Sequence, residues 1–257
     1  MPLHPHAEAF DTAAPDYVRG RPDYPPALLD WLRDEIGLGP GASAADLGAG
    51  TGKFTRHLLQ TGARVVAIEP VRGMREALTA AFPDLDVREG LATDIPLEAE
   101  SVQAVVCAQA FHWFATATAM AEIRRVLAPG GRLALVWNTR DSRVPWVARI
   151  SDIMGAHEGE TPRHADGAWR SVFPAEGFGP LHEAHFTYAH TGDPEDVIIA
   201  RVRSISFMAA LPPDAWAAIE AQLRAVIADE ADLRDRTEVT FPYVTGAFWA
   251  EKLSRAA

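Results

Sequence analysis

The sequence predicts an α/β protein built on a doubly wound, mostly parallel sheet. Between residues 40 and 140, apolar β-branched runs alternate with amphipathic helical segments. A glycine-rich turn joins the first of those runs to the helix after it. Strands alternating with helices of about 10–15 residues imply βαβ crossovers, which put helices on both faces of a parallel sheet.

The elements follow in order. Residues 1 to 25 are irregular and carry several prolines and histidines. A helix opens at Pro25-Pro26, because proline suits a first helical turn. Leu28, Leu32 and Ile36 then form one apolar stripe, which Gly37, Gly39, Pro40 and Gly41 end. Ser43 to Leu47 reads as a strand, Lys53 to Gln60 as a helix, and Arg64 to Glu69 as a buried strand. Val71 to Ala81 reads as a helix and Leu85 to Arg88 as a third strand. Val102 to Ala108 is a fourth strand, Thr116 to Leu127 a helix, and Arg132 to Asn138 a fifth strand. Beyond Asn138 the rhythm breaks. Trp146 to Met154, Pro194 to Ser206 and Pro213 to Glu230 read as helices. Leu181 to Ala189 and Thr237 to Ala250 read as strands. The late helices look like an insertion or lid on one domain spanning residues 1–257. In that reading 1–40 is an N-terminal cap and first helix, 41–140 the core, and 141–257 the substrate-side helices and final strands.

Composition narrows the function. A chain of 257 residues buries a sizeable core without disulfide or metal staples. The single cysteine, Cys107, excludes an internal disulfide framework. Acidic residues number 35 and basic residues 24, a net charge of −11, which disfavours binding to a phosphate backbone. Ser101 to Ala121 carries no charge and is long enough to span a bilayer. Gln103, Gln109 and His112 interrupt it, so a buried strand followed by a loop and helix is the better reading. Met1 to Phe10 has no basic region ahead of an apolar run. No nucleic-acid or membrane partner is expected, and the location expected is cytoplasmic.

The segment Asp46-Leu47-Gly48-Ala49-Gly50-Thr51-Gly52 lies between a strand and a helix, where glycine lets backbone approach a ligand closely. A phosphate-cradling P-loop would need Gly at 47 and Ser or Thr at 54, where Leu47 and Phe54 stand. A dinucleotide fingerprint would need a small residue at 53, where Lys53 stands. That weakens the dinucleotide reading; a nucleoside without a phosphate chain is a third reading, and a tight strand–helix turn with no ligand is the alternative to all three. Glu69, at the end of the next strand, can accept both hydroxyls of a ribose.

Four segments in order carry a family resemblance: DLGAGTGKFT (46–55), VVAIEP (65–70), GLATDIP (90–96) and LAPGGRLALVWN (127–138). YVRGRPDYP (17–25) and AQAFHWF (108–114) add narrower matches. The chain resembles class I S-adenosylmethionine-dependent methyltransferases. The likeness is to the small-molecule branch that includes trans-aconitate-methyltransferase-like and menaquinone/ubiquinone-type enzymes. The resemblance implies a Rossmann-like sheet of seven strands. It implies S-adenosyl-L-methionine as cofactor, S-adenosyl-L-homocysteine as product, and a small-molecule acceptor such as an acid or a natural-product intermediate. The alternative is a cofactor-binding protein of this fold with a non-methylating or regulatory role. A monomer or homodimer is expected.

The resemblance also implies roles. Gly48 and Gly50 pack against the methionine part of the cofactor, and Asp46 orients the loop and faces the amino group. Glu69 binds the ribose, Pro70 and Met74 flank the adenine, and Ala92 and Thr93 lie at its edge. Gln109 and Ala110 sit near the sulfonium. Many relatives carry acids where Leu91 and Thr93 stand, and Asp94 is the nearest substitute. Tyr17 and Arg21 fold over the cofactor, Arg21 meeting a carboxylate of cofactor or substrate.

His112, just past the fourth strand, is the candidate general base, with structural or substrate-positioning use as the competing role. Arg140, Arg143, Trp146, Trp169 and Arg203 are candidates to line a pocket for an acidic or aromatic acceptor. His182 and His185 fall on opposite faces of a strand, so no metal site is expected there. Cys107 reads as an inert core residue.

Overall fold

In the computed structural model, residues 21–159, 162 and 164–254 are described. A seven-stranded sheet has the order β3-β2-β1-β4-β5-β7-β6. The strands are β1 (Ser43–Leu47), β2 (Arg64–Ile68), β3 (Asp86–Arg88), β4 (Val102–Ala108), β5 (Leu127–Arg140), β6 (His182–Gly192) and β7 (Val239–Glu251). β1 to β5 run parallel, and β7 lies antiparallel between β5 and β6.

β1 is buried at all five positions, as a strand covered on both faces must be. Its neighbours are in register, with Asp46 opposite Ala67 on β2 and Val106 on β4. At the edge, β3 is three residues long, and its Asp86 and Arg88 pair at 2.7 Å. A short charged edge discourages further strand pairing.

The helices are α1 (Ala27–Asp34), α2 (Thr55–Gln60), α3 (Arg72–Ala81), α4 (Ala117–Val126), α5 (Pro145–Gly155), α6 (Arg201–Arg203), α7 (Ser206–Ala209) and α8 (Pro213–Asp229). α1 buries Leu28, Trp31 and Leu32 on the face of the sheet that also receives Phe54 and Leu58 from the region of α2. α4 is capped by Thr116, whose hydroxyl accepts the Ala119 N–H at 3.2 Å, and packs Met120, Ile123 and Val126 on the opposite face. The late helices make a separate apolar cluster. Trp146 and Ile150 of α5 meet Leu223 of α8 and Phe241 and Tyr243 of β7. This cap is seated on the outer end of the β5–β7–β6 ribbon.

β5 and β6 run past their expected ends to Arg140 and Gly192, and three other departures have a local cause. α2 starts at Thr55 because the glycine loop continues as turn through Phe54. β5 starts at Leu127, five residues before Arg132, since Leu127 already pairs with Val102. The helix expected over 194–206 is a π-helical turn, Glu195–Ala200, followed by α6 and then a break. Val197, Ile198 and Ile199 are all buried. Three successive residues of an α-helix span about 200° of its surface, so a wider turn suits burying all three. Ser204 Oγ then donates to the Arg201 carbonyl at 2.7 Å, a local bond that competes with helix continuation.

The uncharged stretch from Ser101 to Ala121 becomes β4, a 3-10 turn (Phe111–Trp113) and the start of α4. Among the described residues no helix is long and apolar enough to cross a membrane.

Candidate functional site

The chain winds outward from β1 to β3 and then returns to β4 on the other side of β1. In such sheets the crevice at the carboxyl ends of the strands, at this reversal, is where ligands bind. A cavity of about 420 Å³ opens there. From the glycine loop it is lined by Asp46, Gly48 and Gly50, and from the end of β2 and α3 by Glu69, Pro70 and Met74. Ala92 and Thr93 line the next stretch, with Gln109, Ala110 and His112 after β4 and Arg21 from the segment before α1. The structure thus brings His112 together with the described residues of the glycine loop, the strand ends and Arg21 that the sequence proposed. Tyr17 lies outside the described residues. Asp94 is exposed, its N–H bonded to the Leu91 carbonyl at 3.0 Å, and it does not line the cavity.

Glu69 joins two parts of the cavity wall. One carboxylate oxygen accepts the Gly50 N–H and the other the Val71 N–H, each at 2.8 Å. It therefore ties the glycine loop to the start of α3. Burial raises its pKa, against the pull of those two backbone donors. Gly50 has φ +58, and no atom lies within 4 Å of where a Cβ would stand.

Asp46 is fully buried. Its Oδ2 accepts the Thr55 hydroxyl at 2.6 Å, while Oδ1 has no partner. Burial, assisted by the negative charge of Glu69 and opposed by the Thr55 hydroxyl, raises its pKa to about 7. Gln109 holds φ +57, an uncommon conformation for a side chain-bearing residue. Its Nε2 donates to the Asn138 carbonyl at 3.3 Å.

His112 lies in the 3-10 turn, and the Trp137 indole N–H donates to its Nδ1 at 3.1 Å. Indole nitrogen is only a donor, so Nδ1 is bare and the neutral ring carries its proton on Nε2. Burial first, then the neighbouring His164, lowers the His112 pKa to about 3. His164 stacks on Trp137 with ring centroids 4.4 Å apart. Burial lowers its pKa to about 4.

The segment entering α1 forms a strap across the site. The Asn138 amide donates to the Asp23 carbonyl at 2.8 Å, and Arg21 donates to the Ser204 carbonyl at 3.2 Å. Lys53 Nζ donates to the Arg21 carbonyl. The strap therefore touches the loop, the end of β5 and the cap.

Of the late candidates, only Arg140 reaches the cavity. Trp146 packs on Phe241 in the cap, and Trp169 packs on Trp137 in the core. Arg203 lies over the Trp216 ring, and Arg143 pairs with Asp141 in the open. Lys53, Glu158 and Arg201 line the cavity without having been proposed for it, and so does His164, whose place in a loop without cysteine partners makes exposure the expectation from sequence. Arg201 sits two residues from Arg203, and only the helical register separates them. His182 stacks on Trp249 and His185 pairs with Glu183. Among the described residues no group of three His, Cys, Asp or Glu side chains is placed to hold a metal ion. Cys107 is buried in β4, and that burial pushes its thiol pKa up.

A family model described as a methyltransferase domain matches residues 45–135. A methyltransferase-like protein of Schizosaccharomyces pombe, itself uncharacterised, is 37% identical over 246 residues, covering 95% of this chain and 96% of the relative. The chain belongs to the class I S-adenosylmethionine-dependent methyltransferases. Solved methyltransferases share its fold. One is a structure from Anaeromyxobacter dehalogenans assigned as a type II methyltransferase, with TM-score 0.63 and 23% identity, covering 91% of this chain and 97% of that one. Another is a phosphoethanolamine N-methyltransferase of Haemonchus contortus in complex with S-adenosylhomocysteine, with TM-score 0.54 and 14% identity, covering 95% of this chain and 58% of that one. In this methyltransferase the matched segment holds the glycine loop, Glu69 and His112, whereas Arg140, Arg201 and the cap lie beyond it.

Proposed function

We propose that this methyltransferase moves a methyl group from S-adenosyl-L-methionine to a small-molecule acceptor, leaving S-adenosyl-L-homocysteine. The observation that carries the reading is the single cavity shared by the glycine loop, Glu69 and a strapped, cationic cap wall. Its residues suit the cofactor. Asp46 Oδ1 is a buried acceptor without a donor, fit for an amino group. Open space at Gly50 admits ligand against bare backbone. Glu69 retains free lone pairs for ribose hydroxyls after its two backbone bonds. Pro70 and Met74 offer apolar cover for an adenine, and Ala92 and Thr93 stand at its edge. When bound, the cofactor supplies an electrophilic methyl carbon on a positively charged sulfur.

The chain's own contribution is position and dryness. Gln109 and Ala110 shape the wall next to the loop, and the strap from Arg21 to Tyr24 excludes water. His112 presents a neutral imidazole with its proton on Nε2, so its role here is to donate a hydrogen bond that orients the acceptor. A volume of about 420 Å³ falls in the range of small-ligand sites, which favours a compact acceptor over a macromolecule. A lone, buried thiol is at home in a reducing cytoplasm.

The test pairs two measurements. Calorimetric titration with S-adenosylhomocysteine should show saturable 1:1 binding that Glu69→Ala weakens about a hundredfold. Methyl-labelled S-adenosylmethionine incubated with protein and metabolite extract should then label a small molecule. Absence of cofactor binding would end the reading, and tight binding without any transfer would favour a regulatory role.

A further inference from the structure

Among the arginines of this acidic chain, most that reach the surface find a carboxylate. Arg72, Arg75, Arg88, Arg143, Arg149 and Arg224 all do so at 3.0 Å or closer. Arg140 and Arg201, both on the cavity wall, do not. Arg201 is 5% exposed. Its Nε donates to the Tyr243 hydroxyl at 3.1 Å, and its Nη1 is buried with no hydrogen-bond partner. Arg140 Nε donates to Ser151 Oγ at 3.2 Å. Among the described residues no carboxylate lies within ion-pair distance of either guanidinium.

The two belong to one patch. Arg140 on β5 is the register partner of Tyr243 on β7, so both side chains project from the same face. The Tyr243 hydroxyl is in turn bonded to Arg201. Burial, and then repulsion from Arg201, lowers the Arg140 pKa to about 10; Glu158 and Tyr243 oppose that shift, and Arg21 adds to it. Like charges gathered in a low-dielectric wall, with Glu158 the acidic neighbour acting on Arg140 from beyond ion-pair distance, are costly to hold. Guanidinium forks with spare N–H groups match the planar geometry of an oxyanion.

We propose that Arg140 and Arg201 form an acceptor subsite for an oxyanion, a carboxylate or phosphate group borne by the methyl acceptor. The proposal rests on the methyltransferase reading above and deepens it by naming the acceptor's chemical class. The acceptor's anion completes the charge balance of the wall, and its other end is thereby aimed toward the loop and His112. Arg21, held on the strap, is left for the cofactor's own carboxylate. The cavity then sorts two anions onto two separate cationic sets.

The experiment measures binding of defined probes to the protein saturated with S-adenosylhomocysteine, and in parallel to the free protein. The probes are glutarate, benzoate, inorganic phosphate and phenyl phosphate, with benzamide as neutral control and sodium chloride matched in ionic strength. At least one oxyanion should raise the melting temperature and titrate saturably, while benzamide and chloride do not. Carboxylate and phosphate arms then say which source the wall prefers. Arg201→Met and, as a second variant that leaves the Arg201–Tyr243 hydrogen bond in place, Arg140→Met should each weaken that probe at least about tenfold while leaving S-adenosylhomocysteine affinity nearly unchanged. Arg201→Met should also raise the melting temperature of the free protein, by removing an uncompensated buried charge.

Three results would overturn the proposal: no oxyanion binding above the chloride control, equal binding of benzamide, or unaltered probe affinity in both variants. Parallel loss of S-adenosylhomocysteine affinity would also overturn it, by assigning the pair to the cofactor's carboxylate. Failure of the wild-type protein to bind S-adenosylhomocysteine would instead strike the methyltransferase reading, and the free-protein arm would still decide the oxyanion site.

Discussion

The Trp137 indole donates its N–H to Nδ1 of His112 across 3.1 Å, so the imidazole has one possible neutral tautomer. With burial holding its pKa near 3, the ring stays in that form across the working range of pH. Nitrogen-15 NMR of histidine-labelled protein should show a bare Nδ1 and a protonated Nε2 for His112, unchanged from pH 8 to pH 5. In turnover, His112→Asn keeps a donor and should retain activity within about tenfold. A true base would lose about a hundredfold or more in both Asn and Ala variants.

Asp46 leads to a pH dependence of cofactor binding. Its carboxyl titrates near 7 in the free protein, yet an incoming ammonium favours the carboxylate. Binding should therefore release a proton below pH 7. Affinity for S-adenosylhomocysteine should fall by up to about tenfold per pH unit as the pH drops from 7 toward 5. Asp46→Asn should bind more weakly at pH 8 and flatten the dependence. Calorimetry in buffers of different ionisation enthalpy reads the proton directly.

Two glycines of one loop should fail in different ways when a methyl is added. At Gly52, φ is +86 and a Cβ would meet Leu78 Cδ1 at 2.5 Å and Phe82 Cε2 at 2.7 Å. Gly52→Ala should cost about 2–4 kcal/mol of stability through strain and overpacking. At Gly50 the added methyl meets nothing, so Gly50→Ala should cost only about 1–2 kcal/mol for its positive φ. That methyl points into the cavity's open space, so the Gly50 variant should lose cofactor affinity at near-native melting temperature. Thermal melts and titrations on both variants separate the two effects.

The two neutral histidines also shape acid stability. His112 and His164 have folded pKa values near 3 and 4, below the 6.5 of the unfolded chain. Below pH 6.5 the unfolded state takes up protons that the folded state refuses, so stability falls as pH drops toward 4. Each histidine contributes a slope of at most about 1.4 kcal/mol per pH unit. Asp46 works the other way, since its raised pKa adds stability as pH falls from 7 toward 3.8. His164→Gln should flatten the acid limb of a denaturation series between pH 6.5 and 4.

The core was legible because its signals are local. Val65 and Val66 mark a strand by themselves, Gly48 to Gly52 a turn, and Glu69 a strand end. The wall proposed for the cofactor is a set of strand ends, and those follow from alternation. The cap was less legible because its decisive contacts join residues far apart in the chain. Arg201 and Arg203 look alike in sequence. The π-helical turn ahead of them sets which one faces the cavity, and three buried apolar residues in a row are its only trace. Lys53 weakened the dinucleotide fingerprint, but its bond to the Arg21 carbonyl depends on a strap 32 residues away. The reach of β5 to Arg140 was hidden because its pairing with β7 is set by residues beyond 239.

The cap's separate apolar cluster has an evolutionary consequence. Ile150, Leu223 and Phe241 pack chiefly with one another, while the glycine loop rests on a different cluster. Mutations that reshape the acceptor wall are thus absorbed inside the cap, without loosening the turn that holds Gly50 against Glu69. Residues of α5 and α8 can therefore change together while the loop that faces Glu69 keeps its shape.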